Sequence, residues 1–177
     1  FEDGAILNLG RVFDTTAGAI DVTSGHTLDV NGGTTLFGPA TQILSDGSSD
    51  DVLRLSGTHT LEVRDGYRHV TDATLELDGD VNVVGDAFTN EAELVLFGAN
   101  ATFDVEFANL GDLVVEGRSS LDALATFNNG FSNYGTLVLD DLAANNADIV
   151  VTGGDLENSG TILLANTGGS PTGTRDI

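Results

Sequence analysis

The chain has 177 residues, the size of one domain on the usual scale of ~100–200 residues. It carries 28 Asp and Glu against 6 cations, all of them Arg, and the resulting net charge of −22 argues against nucleic acid or an anionic membrane face as a partner. There is no Cys, which excludes disulfides and thiolate sites, and at 40 % hydrophobic residues the chain is too apolar for a disordered acidic tail.

The first residues, Phe1-Glu2-Asp3, are acidic where a secretory leader would be basic, so a secreted form would have lost its leader before this numbering begins. No apolar run approaches the ~20 residues of a membrane-spanning helix, so no transmembrane segment is expected. From there the chain runs as short strand units with apolar residues at i and i+2. They are Leu28-Asp-Val30, Leu53-Arg-Leu55, Leu61-Glu-Val63, Leu75-Glu-Leu77, Val81-Asn-Val83 and Leu94-Val-Leu96. In a strand such residues share a face, which sends Leu and Val inward and the charged residues outward. Gly, Asn, Asp and Ser bound each unit and supply turns. The best helical candidate is 121–127 (Leu-Asp-Ala-Leu-Ala-Thr-Phe), too short to stand alone, and the chain reads as all-β.

A repeat identifies the kind of β protein. Phe88-Thr-Asn90-Glu-Ala-Glu-Leu94 aligns with Phe107-Ala-Asn109-Leu-Gly-Asp-Leu113, with Phe131-Ser-Asn133-Tyr-Gly-Thr-Leu137 and with Leu156-Glu-Asn158-Ser-Gly-Thr-Ile162. The asparagines are 19, 24 and 25 residues apart, the length of one coil of a parallel β-solenoid. A weaker copy, Thr71-Asp-Ala-Thr-Leu75, precedes them, and upstream Ser24-Gly-His26-Thr-Leu28 resembles Ser56-Gly-Thr-His59-Thr-Leu61. Stacked coils predict structural ladders of Phe88, Phe107 and Phe131, of Asn90, Asn109, Asn133 and Asn158, and of Leu94, Leu113, Leu137 and Ile162. Gly111, Gly135 and Gly160 would let the chain bend into the next strand. About 8 coils of solenoid over 1–165 would be followed by a linker or extended arm over 166–177. A β-sandwich or jelly roll is the alternative, but it requires no register between asparagines.

The Asn-x-Gly-Thr-[Leu/Ile]-x-Leu pattern, best over residues 71–164, resembles the right-handed parallel β-helix of filamentous-haemagglutinin-type adhesins and autotransporter passengers. The resemblance implies a secreted or cell-surface bacterial setting and a structural or adhesive role.

Catalytic motifs are sparse. Parallel β-helices also include polysaccharide lyases and hydrolases, and Asp140-Asp141 is the paired-carboxylate candidate. No His follows it, however, and the chain has no Lys. The three histidines, His26, His59 and His69, match no ligand spacing; a solenoid would stack His26 on His59, while the simpler expectation is turn histidines facing carboxylates. Asp46, Ser48, Asp50 and Asp51 place oxygens as a calcium loop begins, without its later Gly and Glu, which makes calcium the one cofactor to consider. The expected function is a non-catalytic extracellular structural or adhesive module, with a polysaccharide-active enzyme as the alternative. Its expected partners are copies of itself or neighbouring repeats through the terminal coils, and surface glycans.

Overall fold

A computed structural model of the chain describes residues 5–8, 12–118, 121–141, 145–167 and 177. Their regular structure is all strand. The first coil contains β1 (Ala5–Asn8), β2 (Val12–Asp14) and β3 (Ala19–Asp21), and the second β4 (Thr27–Phe37) and β5 (Gln42–Leu44). The third has β6 (Val52–Val63) and β7 (Tyr67–His69), and the fourth β8 (Thr74–Gly85) and β9 (Phe88–Asn90). The fifth has β10 (Glu93–Phe97), β11 (Asn100–Asp104) and β12 (Phe107–Asn109). The sixth has β13 (Asp112–Gly117), β14 (Ala123–Phe127) and β15 (Phe131–Asn133), and the seventh β16 (Thr136–Asp141), β17 (Ala147–Val151) and β18 (Leu156–Asn158). β19 (Thr161–Ala165) stands one layer beyond β17 and β18.

The named strands pair in parallel with equivalents in neighbouring coils, so the molecule is a parallel β-solenoid of about seven turns. A sandwich would require antiparallel neighbours. The first face runs β1-β4-β6-β8-β10-β13-β16-β19; the second uses the far halves of β4, β6 and β8, then β11, β14 and β17. The third face is β7-β9-β12-β15-β18, with β3 and β5 paired upstream. In β6 and β8 the first corner is turned at Gly57 and Gly79, in-register partners that both have positive φ, so one strand spans two faces.

Period two explains the core. Leu28, Leu53, Leu75, Leu94, Leu113 and Leu137 stack in one inward column that continues to the half-buried Ile162. On the third face Tyr67, Phe88, Phe107, Phe131 and Leu156 are in register, and Phe88, Phe107 and Phe131 are buried. Ring centroids in this column are 5.4 Å apart for Phe88–Phe107 and 5.6 Å for Phe107–Phe131, and Phe103 and Phe127 of the second face stack into it. Aromatic pairs at such separations add to the area they bury.

One reading of the sequence needs correction, and two others gain detail. Residues 123–127 are a strand, because Ala123, Ala125 and Phe127 alternate inward beside β11 and β17, and that pairing overrides the local helical propensity. The upstream repeat was aligned across two faces: Leu28 is the partner of Leu53 on the first face, whereas Leu61 is the partner of Thr35 on the second. Gly111, Gly135 and Gly160 stand at the bends into β13, β16 and β19, without positive φ, and close packing adds a second reason for glycine there. A Cβ on Gly135 would lie 2.1 Å from the Gly111 carbonyl oxygen. The 166–177 arm falls almost wholly outside the described residues.

Phe131 is 1 % exposed in the middle of the aromatic column, so Phe131→Ala is expected to cost ~3–5 kcal/mol, measured by denaturant unfolding. Exposed Val70→Ala, on the neighbouring corner, should change stability by less than ~0.5 kcal/mol.

Candidate functional site

The most constructed polar feature is the corner after the third face. Asn90, Asn109 and Asn133 are fully buried and in register, with Asn158 beyond them. Each amide Nδ2 donates to the Oδ1 of the next: Asn90 to Asn109 at 2.8 Å, Asn109 to Asn133 at 2.8 Å and Asn133 to Asn158 at 2.7 Å. The same nitrogens also face the carbonyls of Ala92 and Asp112, of Gly111 and Thr136, and of Gly135 and Thr161. One side chain per coil thus ties two corners together. Buried amides are tolerated only with such partners.

His69 occupies the position of the column above Asn90 and is fully buried. Its Nε2 lies 3.1 Å from the Glu93 carbonyl, where it takes the role an amide fills elsewhere. It does not reach Asn90 Oδ1, which is buried without a hydrogen-bond donor among the described residues. Burial pushes the His69 imidazole down to about 4, against the opposing effect of the Glu93 and Ala73 carbonyls. His59 is buried on the second face, with Nε2 3.0 Å from Thr35 Oγ1, and burial lowers it as well. His26 sits at a turn, with Nδ1 2.6 Å from the Thr23 carbonyl. The histidines do not stack: His59 is in register with Gly33 and Val81. Nor do His59 and His69 face carboxylates as turn residues, because inward strand positions accept an imidazole that has a partner.

The acidic loop is organised around Asp51. Its Oδ1 accepts Gly25 N–H at 2.6 Å, and its Oδ2 accepts Ser45 Oγ–H at 2.7 Å and Asp46 N–H at 2.9 Å. Burial alone would raise this carboxyl, but the donors from Ser45, Asp46 and Gly25 prevail and hold it at about 2. Asp46 accepts Ser24 N–H at 3.0 Å and Ser48 N–H at 3.3 Å, and Ser48 Oγ accepts Asp50 N–H. These oxygens serve the backbone of two coils. Among the described residues no three His, Asp or Glu side chains gather as a metal would require.

The Asp140-Asp141 candidate lies at the end of β16, both residues buried. Asp140 accepts Thr167 N–H at 3.0 Å and its Oγ1–H at 2.6 Å. It is the register partner of Glu116, whose carboxyl is raised by burial and by Asp140, against the pull of Arg118. The guanidinium of Arg118 sits 3.3 Å above the Phe97 ring.

The outward columns were not legible in the sequence, because each draws one residue from every coil. The first face reads Ile6, Asp29, Arg54, Glu76, Val95, Val114, Val138 and Leu163, with Arg54 Nε donating to Glu76 at 2.7 Å. The second reads Val12, Thr34, Thr60, Asn82, Thr102, Thr126 and Val150. The third reads Arg68, Thr89, Ala108, Ser132 and Glu157, and it floors a cavity of about 340 Å³ beside Ser132. Comparison with protein-family models, curated proteins and solved structures returned no match.

Two predictions follow from the buried polar groups. His69→Asn supplies the missing donor to Asn90 Oδ1 and is expected to raise the denaturant midpoint, by ~1 kcal/mol of stability. Acid should act in two windows. An imidazole held at about 4 in the fold but near 6.5 when unfolded gives the unfolded state the extra proton, so stability falls as pH drops from 6.5 toward 4, by ~3 kcal/mol for His69. His59 adds to this window in the same direction. Asp51 contributes fully above its unfolded value of 3.8, and that contribution is lost as pH falls toward about 2. Denaturant midpoints measured across pH should show both windows, with the upper one reduced in the His69→Asn protein.

Proposed function

We propose that this chain is a non-catalytic structural module: a stiff acidic β-solenoid that works by extending, presenting its faces and meeting other coils at its ends. The observation that carries this reading is the unbroken register. Inward columns run from Ala5 to Ile162 and from Leu7 to Leu164 without a missing layer, reinforced at one corner by the asparagine column. Such a stack has its stability distributed along its axis, each coil supporting only its neighbours. Its chemistry is directed inward, toward holding corners.

The terminal layers support assembly. Leu164 belongs to an inward column, yet it is 60 % exposed. At the other end the inward residues Ala5 and Leu7 are only partly buried. Among the described residues β1 and β19 pair on one side only, and such edges are surfaces that a further coil would cover, from a second copy or from a neighbouring repeat. Cell-surface display, the adhesin-type β-helix likeness and adhesion to surface glycans fit the same reading. Calcium would act by screening the −22 charge between coils.

The stacked Glu116 and Asp140 favour a second reading, a polysaccharide-active enzyme with Glu116 as proton donor, since its carboxyl is raised by burial and by that neighbour. Sedimentation velocity and electron microscopy of the chain, with and without calcium, test the first reading. Rods that lengthen with protein concentration or with cation are expected. A chain that stays monomeric at high concentration in both conditions removes assembly from the proposal. Release of reducing ends from extracellular polysaccharides, lost in Glu116→Gln, would replace the structural reading with the enzymatic one.

A further inference from the structure

The third face carries a groove that neither the core nor the corner column uses. Its floor is narrow, three residues per strand, and small at the centre, where Thr89, Ala108 and Ser132 are in register. One wall is the turn position just after each ladder asparagine. There Leu110 and Tyr134 follow Asn109 and Asn133, and both are held by the same bond, Leu110 N–H to the Asn90 carbonyl at 2.7 Å and Tyr134 N–H to the Asn109 carbonyl at 2.8 Å. The equivalence stacks them on one edge, 48 % and 54 % exposed. The opposite wall and the far floor are acidic: Glu106, Asp155 and Glu157 line the cavity of about 340 Å³ together with Tyr134 and Ser132.

No Arg or His lines that cavity. Among the described residues the arginine of this same column, Arg68 at its upstream end, is already paired. Arg54 pairs with Glu76 on the first face and Arg68 with Glu91 two coils upstream of the cavity. An open aromatic ring beside three carboxylates with no cation among the lining residues is complementary to a positive side chain that also presents methylene surface. The ring attracts the cation through its face and packs on the alkyl stem, and the carboxylates accept its N–H donors. A neutral sugar would have to desolvate the same carboxylates without supplying the compensating charge. The groove runs along the stack of coils, so it fits an extended chain better than a compact one.

We propose that the third-face groove docks an extended lysine- or arginine-bearing polypeptide segment, with Tyr134, Glu157, Glu106 and Asp155 receiving one cationic side chain beside Ser132. This partner site does not depend on whether the rods assemble.

The test is calorimetric titration of the full chain with a capped hexalysine peptide at low and physiological salt, against Tyr134→Ala, Glu157→Gln and, as control, Asp80→Asn on the second face. All three positions are at the surface, and unchanged thermal unfolding of each variant checks the fold. The site predicts binding that weakens about ten-fold in both Tyr134→Ala and Glu157→Gln, while Asp80→Asn stays within about two-fold of the parent. Equal loss in all three variants would show diffuse attraction to a −22 chain and overturn the site. Absence of peptide binding overturns it as well. Binding of a neutral hexasaccharide that depends on Tyr134, with no dependence of peptide binding on it, would also overturn the proposal and assign the groove to a glycan.

Discussion

Everything in this structure depends on parallel pairing in register between successive coils. Because residue i of one coil sits directly over its partner in the next, at ~4.8 Å, every side chain is judged by what stands above and below it. An apolar residue finds a like neighbour and becomes part of a continuous core. A polar residue in an inward position survives only if its neighbours can return its hydrogen bonds. The asparagine column meets that condition with one residue type, since an amide both donates and accepts along a single direction. The donor chain from Asn90 through Asn158 is therefore a consequence of the register as much as a support for it.

The same constraint explains what the sequence revealed. From Thr71 onward, coils of 19 to 25 residues retain the corner asparagine, and a residue that recurs with a strand behind it and Leu-x-Leu ahead of it can be recognised without coordinates. The upstream coils close their third corner differently, so there was no marker to align. Ser24-Gly-His26 and Ser56-Gly-Thr-His59 share letters because both contain a Gly corner followed by a strand, yet one precedes the first face and the other opens the second. The outward faces were illegible for a related reason. Tyr134, Glu106 and Glu157 are close only because of coil geometry, and no local pattern connects them.

Charge is distributed by the same rule. Strand alternation sends nearly every carboxylate outward, and on the first face the column places Arg54 against Glu76, with Asp29 on its other side. Where carboxylates do go inward they work on backbone: Asp51 takes two N–H groups and a hydroxyl, and Asp140 holds Thr167 to the seventh coil. Buried carboxylates thus close corners, while the outward ones carry most of the net charge.

His69 lies where two modes of corner closure meet. In the second coil the corner is drawn together by an ionised acid, Asp51, acting on Gly25, Ser45 and Asp46; from the fourth coil on it is drawn together by neutral amides acting on carbonyls. An acid accepts hydrogen bonds and an amide column begins with an acceptor, Asn90 Oδ1, so the layer between them must donate downward. A neutral imidazole has one N–H, and in this fold Nε2 is directed at the Glu93 carbonyl, which leaves Asn90 Oδ1 without a donor. An asparagine at the same place would have two N–H groups and could serve both acceptors. The choice of His over Asn at this one layer places a titratable group at the head of an otherwise pH-indifferent amide column.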